Sequence, residues 1–162
     1  MPDVTPDPAG GGPVERYLED YPVGLREEFG PIQVDEAEIV EFARRYDAQP
    51  FHVDPAAAAA GPYGGLIASG WHTCALMMQL LVRDYLSPAS SLGSPGVDEL
   101  RWIRPVRPGD RLVLRTTVLE SRRSRSRPDR GILRTQVELA DDSGQLVLTM
   151  TAINLVLSRP TA

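Results

Sequence analysis

The sequence predicts an α+β domain in which an antiparallel sheet covers one long, largely buried helix. Three observations carry that prediction. The second half of the chain reads as four strand-like runs, residues 97–106, 111–121, 131–140 and 145–157, rich in Val, Leu, Ile and Thr. Turn signals separate some of them, Arg107-Pro108-Gly109-Asp110 and Asp141-Asp142-Ser143-Gly144, the second a hairpin signature. Residues 69–86 form a helical run that is apolar around most of its girth, the mark of a helix inside a core.

In chain order, residues 1–14 are mostly Pro, Gly and Asp and read as a disordered tail, leaving residues 15–160 as a single domain. Residues 26–34 read as a first extended segment. Asp35 then caps a helix, with Glu38 three residues on forming a capping-box-like pair. Ile39, Phe42, Ala43 and Tyr46 give that helix one apolar face, and Pro50 ends it near Asp47. Asp54 and Pro55 start a short alanine helix, with Asp54 as N-cap. Gly61-Pro62-Tyr63-Gly64-Gly65 is a loop. It lacks a preceding strand in a βαβ context, so a dinucleotide site is rejected. In the 69–86 helix, Trp71, Cys74, Ala75, Met78, Leu81, Val82 and Tyr85 mark one stripe, and Leu76, Met77 and Leu80 add a second side. One strand, then helices, then four strands with short turns excludes a doubly wound parallel sheet.

The chain has 162 residues, 42% of them hydrophobic, enough for one domain with a real core. A net charge of −5 argues against nucleic acid as the main partner. All 17 basic residues are arginine. One cysteine rules out an internal disulfide framework, and with two histidines it makes a structural zinc site an unlikely design. No signal-peptide pattern opens the chain, and the apolar run at residues 75–82 is too short to span a bilayer, so a cytoplasmic protein is expected.

Chemistry concentrates in Tyr46-Asp47-Ala48-Gln49-Pro50-Phe51-His52-Val53-Asp54. A carboxylate at the end of a helix and an imidazole just past a proline can fold back toward each other. In a partly dry site they form an acid/base pair, because His titrates near neutrality and a carboxylate fixes its tautomer. By spacing alone, a helix cap and a satisfied loop histidine are the commoner outcome. Asp54 is better explained as a cap. His72, the other histidine, is read as making a helix-terminal hydrogen bond, Cys74 as core filling, and the Met77-Met78 pair as core or tunnel lining. The arginines of residues 122–130 read as a solvated connection, with attraction of a ligand's phosphates as the functional alternative.

The order Asp-x-x-x-x-His-x-Asp-Pro, a glycine loop, a buried helix opened by Ser69-Gly70, and Pro105-Val106-Arg107-Pro108-Gly109-Asp110 between strands resembles the MaoC-like acyl dehydratases and (R)-specific enoyl-CoA hydratases. The resemblance runs from Tyr17 to Leu157 and implies a hot-dog fold. It implies that Asp47 and His52 are catalytic, and that the Gly70 amide binds the thioester oxygen, with Ser69, Gln49 and Trp71 in the same oxyanion and substrate-binding region. A helix N-terminus suits that task physically, since its N–H groups are unpaired and its end is partly positive. The implied activity is a hydro-lyase one, reversible hydration of a trans-2-enoyl thioester on coenzyme A or acyl carrier protein, with no cofactor or metal. A thioesterase and a non-catalytic acyl-thioester-binding or partner subunit are the alternatives. The family generally pairs two domains into one continuous sheet, so a homodimer or higher homo-oligomer is implied. The sequence departs from the family pattern at Tyr46, Gln49, Ser69 and Met78.

Overall fold

The computed structural model describes residues 15–160, so the expected N-terminal tail lies outside the described residues. Its elements are β1 (Arg26–Gln33), α1 (Glu36–Tyr46), α2 (Pro50–Val53), α3 (Pro55–Ala60), α4 (Gly70–Leu80), β2 (Gly96–Trp102), β3 (Arg111–Arg123), β4 (Arg130–Asp141) and β5 (Leu146–Leu157). The five strands form one sheet in the order β1-β3-β4-β5-β2. Every pairing is antiparallel.

Local chemistry sets several boundaries where the sequence placed them. Asp35 caps α1, its Oδ1 accepting the Glu38 N–H at 3.0 Å. Asp54 caps α3, its Oδ1 accepting the Ala56 and Ala57 amides at 2.9 and 3.1 Å. The β4–β5 hairpin turns at residues 141–144, where Asp141 Oδ1 gathers the Ser143 and Gln145 amides and Gly144 takes a φ of 84°.

Two elements differ. Pro50 does not merely break α1: it occupies the first position of α2, a single turn that carries His52. Proline fits there because its missing N–H would be unpaired anyway. The strand expected at residues 97–106 ends at Trp102, and Ile103 and Arg104 turn off it with their N–H groups on the Val147 carbonyl.

The sheet curls over α4. Leu112, Leu114, Val137, Leu139 and Leu148 supply its inner face, and Leu76, Met77, Leu80 and Leu81 pack against it in one buried cluster. Past Leu80 the helix widens into one π turn, Leu81–Tyr85, closed by the Leu86 N–H on the Leu81 carbonyl at 2.7 Å. Tyr85 sits at its end, its hydroxyl paired with Thr135 Oγ1 at 2.8 Å and its carbonyl accepting from the Tyr21 hydroxyl at 2.8 Å. These bonds satisfy polar groups that burial would otherwise penalise.

The helix is half as buried as its hydropathy indicates. Within the protomer, the sheet takes the face bearing Thr73, Leu76, Met77 and Leu80, while Trp71, Ala75, Met78 and Val82 face outward. Trp71 is 60% exposed and Val82 57%, so an apolar stripe along α4 lies open.

Candidate active site

Two short backbone ties assemble the site. The Ile67 N–H donates to the Phe51 carbonyl of α2 at 3.1 Å. The Ala68 N–H donates to the Val106 carbonyl at 2.8 Å. The buried segment 66–69 is thereby threaded between α2 and the Pro105-Val106 turn, and it delivers Ser69-Gly70 to the start of α4.

The same segment orients His52. The ring is 5% exposed, and its Nδ1 lies 2.7 Å from the Ile67 carbonyl. A carbonyl only accepts, so Nδ1 carries a proton and Nε2 points the other way. Nε2 faces Asp47, 3.4 Å from Oδ2. Asp47 is the C-cap of α1, its own N–H held by the Ala43 carbonyl at 2.8 Å.

Asp47 is held on both oxygens. Ser69 Oγ donates to Oδ2 and Gln49 Nε2 to Oδ1, each at 2.7 Å. The Ser69 bond is the main reason the carboxyl titrates below its ordinary value; the Gln49 bond adds to this, partial burial opposes it and the nearby His52 assists. Ser69 is fully buried and is also the N-cap of α4, its Oγ accepting the Trp71 N–H at 3.3 Å. Gly70 is the first residue of the helix, where an N–H has no intrahelical acceptor.

Asp47, Gln49, His52, Gly70 and Trp71 line one cleft of about 510 Å³. Its remaining wall is largely apolar, with Phe51, Tyr63, Ile67, Trp102, Ile103 and Val106. Asp47, His52 and the helix-opening Gly70 therefore border one largely apolar-walled space. Such a set can hold a water, take its proton, and stabilise an oxygen anion.

The six residues singled out by sequence lie together: five line the cleft, and Ser69 is bonded to Asp47 beside it. Ser69 and Gln49 hold Asp47, a role that spacing could not reveal because Ser69 lies 22 residues away. Trp102 is a residue the sequence reasoning missed, since nothing local marks a strand tryptophan as part of a cleft 50 residues upstream. His72 does not make the expected terminal hydrogen bond. Its ring turns toward α1 and stacks on Phe42 with centroids 4.9 Å apart, and its Nδ1 is buried without a hydrogen-bond partner. Burial lowers its pKa. Cys74 is half-buried, and burial pushes its thiol up. Met77 is core, whereas Met78 is exposed.

Within the protomer the arginine-rich connection lies at the opposite end of the sheet from this cleft. Arg123 pairs with Gly131 and Arg130 with Leu157, while the cleft abuts the Val147 end of β5. Ten strand residues between Leu157 and Val147 span about 30 Å. Arg122, Arg123 and Arg130 are engaged by Glu120, Glu19 and Asp129. Among the described residues no group of three or more His, Cys, Asp or Glu is placed to hold a metal ion, and no helix is long and apolar enough to cross a membrane.

An antiparallel sheet curled over one long helix is the hot-dog fold. Residues 23–139 match the MaoC-like domain, and the chain belongs to that family. It is similar to the crystal structure of a MaoC-like dehydratase from Rhodospirillum rubrum, with 42% identity, a TM-score of 0.83, and 91% of this chain and 100% of that one covered. It is also similar to the R-hydratase PhaJ1 from Pseudomonas aeruginosa, at 26% identity and a TM-score of 0.70, over 88% of this chain and 86% of that one. A 67-residue stretch is 40% identical to 3-hydroxyacyl-thioester dehydratase Z of Mycobacterium tuberculosis, covering 41% of this chain and 44% of that protein.

Proposed function

We propose that the protein is a hydro-lyase that adds water reversibly to a trans-2-enoyl thioester. The observation that carries this is the convergence of Asp47, His52 and the α4 N-terminus on one cleft. In this reading one water lies between Asp47 and His52 Nε2. Its oxygen bonds to C3 of the enoyl group as its proton passes to the dyad. The electron pair of the C2–C3 double bond moves toward the thioester carbonyl, whose oxygen gathers negative charge opposite the Gly70 N–H. The proton then returns from the dyad to C2, leaving a 3-hydroxyacyl thioester. Dehydration is the same path reversed.

The apolar cleft walls fit an acyl chain, and the names of the similar proteins, a hydratase and 3-hydroxyacyl-thioester dehydratases, support the reaction class. The carrier is coenzyme A or acyl carrier protein. We also read the protein as a homodimer. β2 is an open edge strand, and beside it lie Val97, Trp102 and Ile103 together with the outward stripe of α4, all substantially exposed. A second copy pairing there would remove an unpaired edge and an apolar face together. Light scattering coupled to size exclusion checks this.

Incubation with crotonyl-CoA tests the activity. Loss of the conjugated enoyl absorbance without free thiol is the expected result. Thiol released ahead of that loss would make the protein a thioesterase, and no change with any enoyl thioester would leave it a binding subunit.

A further inference from the structure

β2 is irregular at one place. Asp98 pairs with Thr151 and Arg101 with Thr149, so three steps along β2 match two along β5. The extra residue is absorbed where Glu99 takes a φ of 56°, a left-handed backbone that a residue with a side chain rarely adopts.

The bulge changes which face Trp102 occupies. Val97 stands opposite Ala152 and Trp102 opposite Leu148, and both partners belong to the buried core. Directly opposed residues of an antiparallel pair share a face. Val97 and Trp102 are five residues apart, so strict alternation would send them to opposite faces. With one residue bulged out, both point to the helix side.

There the indole lies against Gly70. Its Nε1 donates to the Gly70 carbonyl at 2.9 Å. A Cβ at position 70 would sit 2.6 Å from Trp102 Cε2, so only glycine leaves room for the ring. Trp71 meets the indole edge to face, with centroids 5.3 Å apart. Gly70 is thus gripped from β2 on one side, while its neighbour Ser69 is tied to Asp47 on the other.

We infer that Trp102 is a positioning residue: it fixes Gly70 so that its N–H meets the oxygen of the bound thioester, without itself touching the reacting atoms. The kinetic consequence rests on the hydratase reading above; the structural consequence does not. Backbone donors stabilise a developing charge only when held in place beforehand, and displacements near 1 Å lower rates by about two orders of magnitude. The strained bulge is then part of the site's architecture, because it supplies the change of face that brings the indole to Gly70.

Trp102→Phe keeps a ring and removes the donor; Trp102→Ala removes both. With crotonyl-CoA, kcat falls about tenfold in the first and about a hundredfold in the second. KM rises by a smaller factor than kcat falls, since Trp102 is one panel of the apolar wall among several, and the pH–rate profile keeps its shape because no Asp47 or His52 hydrogen bond passes through Trp102. Amide hydrogen exchange at Trp71, whose N–H shares a peptide unit with the Gly70 carbonyl and is bonded to Ser69 Oγ, becomes faster in both variants, a readout that needs no activity. Should Trp102→Ala not fold, Trp102→Phe carries the test. Unchanged exchange at Trp71 overturns the inference, as does faster exchange with unaltered kcat. A rise in KM alone overturns it too, making Trp102 a wall for substrate. If the wild-type protein hydrates no enoyl thioester, the hydratase reading falls by itself, and exchange still decides whether Trp102 holds Gly70.

Discussion

Replacing Ser69 by alanine removes two hydrogen bonds with one oxygen, and the two losses have separate signatures. The first is the cap of α4, the 3.3 Å bond from the Trp71 amide. Loss of such a cap costs about 1–2 kcal/mol. For a chain of this size that lowers Tm by roughly 2–8 °C. The second is the 2.7 Å bond to Asp47 Oδ2, the largest cause of that carboxyl's low pKa. A bond to a charged group is worth about 1.5–3 kcal/mol, and the partial exposure of Asp47 places this one toward the lower end. Asp47 in Ser69→Ala therefore titrates at higher pH. If ionised Asp47 is required for turnover, the acid limb of kcat/KM moves up in pH while activity on the alkaline side changes little. The sign for stability follows from the depressed folded pKa. The Asp47 contribution is fully present above the unfolded value of about 4 and is lost as pH falls through the folded one. The Tm gap between wild type and Ser69→Ala therefore narrows as the solution is acidified below about pH 4. Ser69→Thr, which keeps the hydroxyl, restores the acid limb. An acid limb that stays in place or moves down, or a Tm gap that is constant with pH, would refute the claim that Ser69 sets the charge state of Asp47.

Asp47→Asn and His52→Ala should each lower kcat for enoyl-thioester hydration by about 10²–10⁴, with far-ultraviolet circular dichroism unchanged; a loss below tenfold would remove them from the chemistry. Gly131→Ala should destabilise the fold by about 1–3 kcal/mol, because the added Cβ would lie 2.3 Å from the Arg122 carbonyl oxygen and 2.4 Å from Leu18 Cδ2; a denaturant titration measures this. Tyr85→Phe strands the buried Thr135 hydroxyl and should lower stability by about 1–3 kcal/mol by the same measurement.

What could be read in the sequence was what neighbouring residues decide. Asp35, the Asp54-Pro55 pair and the turn ending at Gly144 act within four residues of themselves, and the structure bears each of them out. The Asp47-to-His52 run was legible as a pair, and the structure sets their facing atoms 3.4 Å apart. Contacts made across the fold were not legible. Hydropathy marks α4 as apolar nearly all round, but only the sheet decides that Thr73 faces inward and Trp71 outward. The bulge in β2 contains no glycine to announce it, so Trp102 could not be placed on the helix side in advance. Pro50 was read as a stop, although the same ring chemistry also makes it a start.

Ser69 and Gly70 are consecutive, so one peptide bond joins the residue that restrains the carboxylate to the residue that offers the amide. Their Cα atoms are held about 3.8 Å apart whatever the surrounding walls do. A rigid-body drift of α4 carries both along and leaves their mutual distance intact. The lining contributed by Tyr63 and Ile103 lies outside that linkage. On the proposed hydratase reading, such a layout separates reactivity from fit: the wall could be remodelled for longer or branched acyl groups while Ser69 and Gly70 keep their spacing, so substitution at the wall alone would alter chain-length preference.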